Sequence, residues 1–184
     1  LREHGVVADT VDGFGSALAM SRYLRRLGKD SEVVITGRLP RSLAWLPREG
    51  EVRSTDDPAE IPAGAACLLY DFSALKRLGP LEAAVARPGT ERVVFDHHDG
   101  RLDFECLSFF DEGAGATAQI LCDVFEALGV PLDLDLALPL YAGLIADTGS
   151  FNYGKTTPHT HHVAARLLEA GVDPLDVHGR VEGS

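Results

Sequence analysis

Three short apolar runs in this 184-residue chain end on or just before an acidic residue, and none alternates with polar positions on the way. Residues 5–8 (GVVA) lead to Asp9 and Asp12, 66–70 (ACLLY) to Asp71, and 92–95 (RVVF) to Asp96; a fourth run, 32–36 (EVVIT), has the same character. Unbroken apolar runs belong to strands covered on both faces, the mark of a parallel sheet. Segments of helical spacing fall between and after them: 16–27 closed by Gly28, 114–128 closed by Gly129 and Pro131, 136–146, and 158–170 stopped by Gly171. The expected fold is α/β and doubly wound, with a mainly parallel five-stranded sheet and helices on both faces. Ligands of such sheets collect outside the carboxyl ends of the strands, where each of these aspartates falls. The segment 1–5 (LREHG) reads as the last turn of a helix capped by Gly5, with His4 near its end and not a ligand.

A chain of this length suits one domain with its own core, and 45% hydrophobic against 24% charged residues fits a globular one. No apolar run approaches the roughly 18 residues of a membrane span. No apolar leader follows Leu1-Arg2-Glu3-His4, so a cytoplasmic location without membrane contact is expected. The first residue is not Met and the last four are Val-Glu-Gly-Ser, so the chain is expected to be a piece of a longer one. A net charge of −11 argues against long duplex nucleic acid as a partner. It is compatible with a small phosphate ester, because an acidic site that holds divalent metal is negative only until loaded. Cys67, Cys106 and Cys122 are odd in number and far apart, which suits reduced thiols.

Asp96-His97-His98 ends a strand on three groups that want water, a proton or a metal. Asp9, Asp12, Asp71 and Asp147 also fall at the ends of apolar segments. Clustered carboxylates repel one another and are costly to bury unpaired. One or two divalent cations remove that cost, and oxygen ligands with imidazole suit Mn²⁺ or Mg²⁺. Other features have plainer readings. His159, His161 and His162 open a helix and are expected to be solvated, as is the basic helix face of Arg22, Arg25, Arg26 and Lys29. Trp45 with Leu43 and Leu46 reads as local packing. Residues 113–117 (GAGAT) either offer backbone N–H groups to a phosphate or form a tight loop before a closely packed helix.

Asp96-His97-His98, followed by residues 143–151 (GLIADTGSF) and then Thr156-Thr157-Pro158, resembles the DHH phosphoesterase superfamily, and most of all its oligoribonucleases that also remove the 3′-phosphate of phosphoadenosine phosphate. The likeness runs from about Asp9 to the end. It implies a DHH catalytic domain over residues 1–184, with the C-terminal substrate-binding (DHHA1-type) domain of such proteins absent from this chain. It implies two cations, Mn²⁺ or Mg²⁺, held by Asp9, Asp12, Asp71, His97 and Asp147, with Asp71 bridging them. His97, His98 and Asp96 are the implied catalytic residues: His98 faces the phosphate and Asp96 orients the pair. Ser16, in the Gly-Phe-Gly-Ser segment after Asp12, joins His98 as a candidate for substrate binding. The implied substrates are short RNA or DNA oligonucleotides, linear dinucleotides or a nucleoside bisphosphate, and a homodimer is a candidate assembly.

The first motif departs from the family's pattern of His, two residues, Pro and Asp-x-Asp. Counted back from Ser16 without gaps, Asp12 is the second aspartate, Thr10 stands where the first belongs and Val6 stands at the histidine. One insertion makes Asp9 the first aspartate and leaves His4 one residue out of place. The first metal position is therefore weakened, rebuilt around Asp9, or absent. Three other readings stay open: a module that binds nucleotide or a partner without hydrolysis, a pyrophosphatase, and a RecJ-like exonuclease.

Overall fold

The computed structural model describes residues 2–7, 10–72, 74–98, 102 and 104–182, with the backbone alone for 2–7 and 182. Its strands are β1 (Arg2–Val7), β2 (Asp30–Ile35), β3 (Val52–Ser54), β4 (Ala66–Tyr70), β5 (Arg92–Asp96) and β6 (Leu107–Phe110). Its helices are α1 (Val11–Arg26), α2 (Glu82–Val85), α3 (Thr117–Ala127), α4 (Leu134–Asp147), α5 (Pro158–Glu169) and α6 (Pro174–Glu182), with short 3₁₀ turns between several of them. The strands form one sheet in the order β3-β2-β1-β4-β5-β6, and every described pairing is parallel.

The doubly wound class is confirmed, with six strands instead of five. The added strands lie at the edges: β3 has three residues, and all four residues of β6 are exposed, so neither carries a buried apolar signature. The expected helix turn at 1–5 is also corrected. These residues belong to the central strand β1, whose register sets His4 opposite Glu32 and Cys67, three residues short of the strand's end.

Side chains of the central strands point alternately into two cores. Val33, Ile35, Leu68, Tyr70 and Phe95 enter the larger, beneath α1, α3 and α4. Val34, Cys67, Leu69 and Val94 enter the smaller, covered by α2 and 3₁₀ turns that bring Leu78, Leu81 and Val85. Both faces of the sheet are thus covered, one thickly and one thinly. Strand order reverses between β1 and β4, and the crevice outside the carboxyl ends at such a reversal is the ordinary ligand site of an open parallel sheet. No helix among the described residues is long and apolar enough to cross a membrane.

Candidate metal centre

Four segments meet at that crevice. Helix α1 starts at Val11, earlier than its apolar spacing suggested, with Thr10 as N-cap: the Thr10 hydroxyl accepts from the Gly13 N–H at 3.0 Å. Asp12 therefore lies in the first turn, not ahead of the helix. Asp71 follows β4 in a left-handed conformation, φ 55°, which aspartate tolerates better than most residues. Asp96 ends β5 and His97 follows it, and Asp147 ends α4.

Two glycines set how closely these segments approach. A Cβ on Gly13 would lie 3.1 Å from the Tyr70 carbonyl and 3.2 Å from the Asp71 Cβ. One on Gly143, in the middle of α4, would lie 2.7 Å from Asp12 Oδ1 and 2.9 Å from its Cα. Helix α1 is wedged between the end of β4 and α4, and only glycine fits at the two contacts.

Asp12 is fully buried. Its Oδ2 accepts from the Thr117 N–H at 2.6 Å and its Oδ1 from the Ala118 N–H at 2.9 Å. The N-cap of α3 is Ala116, which offers no side-chain cap, so Asp12 caps that helix from the other end of the chain. Residues 113–117 thus form the tight loop, and their helix's first amides face Asp12, not a phosphate.

The His97 ring is 5% exposed. Its Nδ1 lies 3.2 Å from the Ala114 carbonyl, and a carbonyl only accepts, so Nδ1 carries the hydrogen and Nε2 presents its lone pair. That nitrogen is 2.8 Å from Asp147 Oδ2, 3.6 Å from Asp71 Oδ1 and 3.9 Å from Asp12 Oδ2. These atoms are close but not aligned for hydrogen bonding: among the described residues, His97 Nε2 and Asp71 Oδ1 are buried without a hydrogen-bond partner. Buried polar atoms left open cost about 1–3 kcal/mol each. Two that converge on one point with two further carboxylates fit a divalent cation. Asp12, Asp71, His97 and Asp147 place one ligand atom apiece within 4.8 Å of one another.

The electrostatics agree. Burial pushes the Asp12 carboxyl well above the usual range, and the charges of Asp147 and Asp71 push it further. Burial also acts on Asp71, but His97 and the Thr10 hydroxyl hold its pKa below the ordinary value. Burial pulls the His97 imidazole down; attraction to Asp147 and Asp71 outweighs it and carries the pKa up to about 10.

Asp96, 1% exposed, orients its neighbours: its Oδ1 accepts from the N–H of His97 at 2.8 Å and of His98 at 3.2 Å, and meets His98 Nδ1 at 2.8 Å. The His98 side chain is 44% exposed and Asp147 23%, so these two residues line the opening. Lys155, whose position soon after Asp147 in the sequence allows it to lie near the mouth, donates to the His97 carbonyl at 3.0 Å. Ser16 is fully buried and its hydroxyl has no hydrogen-bond partner among the described residues. Asp9 lies outside the described residues.

Two other histidines stand apart: His159 pairs with Asp123 at 2.9 Å and the His161 ring lies tilted against Phe151. Trp45 packs against the larger core, as expected. The basic face of α1 is solvated at Arg25, Arg26 and Lys29, which are exposed, with Arg25 and Arg26 reaching the Ser31 carbonyl and Asp133; Arg22 alone departs from that expectation, buried against Glu51. All three cysteines are free thiols, with Cys67 and Cys122 buried.

A parallel, doubly wound domain with a cluster of carboxylates and imidazole at its switch point defines a class of α/β proteins whose site can hold a divalent cation. Within it, this chain belongs to the DHH family, whose N-terminal domain it matches over residues 5–144. It is 34% identical over 174 residues to a bifunctional oligoribonuclease and PAP phosphatase from Thermus thermophilus, covering 93% of this chain and 50% of that protein. The chain thus spans half the length of this curated relative. An exopolyphosphatase-related protein from Bacteroides fragilis superposes with a TM-score of 0.90 at 23% identity, over 100% of this chain and 56% of that one. The exonuclease RecJ bound to manganese superposes with a TM-score of 0.56 at 22% identity, over 98% and 50%. At these identities the two structures establish the fold alone.

Proposed function

We propose that this domain is the metal-holding half of a divalent-cation-dependent phosphoesterase, a hydrolase acting on short oligonucleotides or on the 3′-phosphate of a nucleoside bisphosphate. One observation carries the reading: Asp71 Oδ1 and His97 Nε2, both buried and both open, face the same point as Asp12 and Asp147. The curated relative named for oligoribonuclease and PAP phosphatase activity supports the substrate class, and oxygen ligands with one imidazole suit Mn²⁺ or Mg²⁺.

Asp12, Asp71, His97 and Asp147 would hold the ion, which when bound polarises phosphoryl oxygens and lowers the pKa of water. The chain's own residues do the rest. The Ala114 carbonyl fixes the His97 tautomer, a common way of orienting a metal-binding imidazole. Asp96 holds His98 through Nδ1, leaving Nε2 at the opening. As water adds to phosphorus and the ester P–O bond breaks, that nitrogen is placed to hand a proton to the departing oxygen. Lys155 leaves a positive charge at the opening for the substrate's remaining phosphate oxygens.

The test is release of mononucleotide from di- to pentanucleotide RNA, and of phosphate from adenosine 3′,5′-bisphosphate, with Mn²⁺. His97→Ala and Asp71→Ala should each abolish both; unchanged turnover in either variant would remove the proposal. A second reading, a domain that binds nucleotide without hydrolysing it, is favoured by Thr10 in place of an aspartate. Nucleotide binding without turnover would establish it.

A further inference from the structure

We infer that this centre takes one cation rather than two, and that Thr10 sets the number. The inference rests on the cluster being a metal centre. A carboxylate that bridges two cations in the two-oxygen mode gives one oxygen to each. Here Asp71 Oδ1 makes no hydrogen bond among the described residues and faces His98 Nδ1 at 3.1 Å and His97 Nε2 at 3.6 Å, but Asp71 Oδ2 accepts the Thr10 hydroxyl at 2.6 Å. That hydroxyl is doubly committed: its hydrogen goes to Asp71, and its oxygen receives the Gly13 N–H that starts α1. Turning it aside for a second cation would uncap the helix that carries Asp12.

Among the described residues, a second ligand set does not supply a second ion. Asp71, His97 and His98 also come within ligating distance of one another. They share Asp71 and His97 with the first set, and His97 has a single free nitrogen because Nδ1 faces the Ala114 carbonyl. The two sets are alternative seats for one ion. Thr10, a neutral donor at the carboxyl end of the central strand, thus stands where a further anionic ligand would be needed, and it blocks the oxygen such an ion would share.

Thr10→Asp reverses both effects, since aspartate is an equally good N-cap and has no hydrogen to give Asp71 Oδ2. The chain would be stripped of metal, loaded with Mn²⁺ and desalted. Bound Mn²⁺ per chain would be counted by elemental analysis, and its paramagnetic resonance spectrum would separate isolated from coupled ions. The expected results are one isolated ion per chain in the wild type, one in Thr10→Asn, and two coupled ions in Thr10→Asp. Two ions in the wild type would overturn the inference and leave the phosphoesterase reading standing; their loss in Asp9→Asn would assign the second to Asp9. No ion in the wild type would overturn both. A folded Thr10→Asp that still binds one ion would overturn the role given to Thr10.

Discussion

Helix α1 carries a buried charge at each end, and the two are handled in opposite ways. Near its C-terminal end, Arg22 is 6% exposed. Its guanidinium bonds both oxygens of Glu51 at 2.9 and 2.8 Å, the Leu46 carbonyl at 2.9 Å and the Asp135 carbonyl at 2.8 Å. The last acceptor exists because Pro139, four residues on in α4, has no N–H to return to it. At its N-terminal end, Asp12 sits among Asp71, His97 and Asp147, with two polar atoms left open. The same helix and the same degree of burial give one closed network and one that is complete only with an added ion. A buried charge is structural when its partners are all protein; open atoms that converge are what mark a ligand.

Perturbing each end sharpens that contrast. Arg22→Met should destabilise the chain most, by about 3–5 kcal/mol in denaturant unfolding, because it leaves Glu51 buried without its partner. Adding Glu51→Leu should restore much of the loss, while Mn²⁺ affinity of the folded chain stays unchanged throughout. Asp147→Asn should do the reverse. Mn²⁺ affinity measured by calorimetry falls by about a hundredfold or more. Without metal the chain changes little in stability, since the charge removed is one that raises Asp12 as well as one that attracts His97. Equal stability losses at the two ends would erase the distinction. Gly143→Ala should cost about 1–3 kcal/mol by driving a methyl group into Asp12, and should weaken Mn²⁺ binding as well.

The two ends also differ in their response to pH. The Glu51 carboxyl is held below its ordinary value: burial raises it, but hydrogen bonds from Arg22 and Arg48 outweigh that. Its contribution to stability is present above the unfolded-state pKa and lost as pH falls through the lower folded one. His97, raised to about 10, works the other way in the ion-free chain. Its contribution is full below the unfolded value near 6.5 and lost as pH rises through about 10. Mn²⁺ must displace that proton, so its affinity should rise about tenfold per pH unit between pH 6 and 8, with proton release on binding. A flat profile would mean that His97 is not a ligand. The smallest effect is expected from Lys155→Met: a few-fold rise in KM at constant kcat, as befits an exposed cation.

The sequence located β4 and β5 well, because Leu68, Leu69, Val94 and Phe95 are buried between two layers and read as unbroken apolar runs. It misread β1 because Arg2, Glu3 and His4 are polar residues preceding a glycine. It passed over β6 because an exposed edge strand has no buried pattern to show. The carboxylates at strand ends were legible for the same reason as the strands they end. Arg22 was not, since helical spacing marks a face without naming what covers it, and Glu51 lies 29 residues away. The substitution at Thr10 was visible as a break in a motif. What the hydroxyl does was not, because its acceptor is 61 residues downstream.

Asp12 has one further consequence, for the order in which the chain assembles. Helix α3 has no cap of its own and borrows one across 105 residues, so its first turn has little to hold it until α1 has docked. The ligands at 12, 71, 97 and 147 come together only when the centre of the sheet has closed. Long-range contacts of this kind form late, after the entropy of closing the intervening loops has been lost. A cation held by these four residues would thus be captured by a chain whose folding is nearly finished, and would lock the last helix terminus to settle.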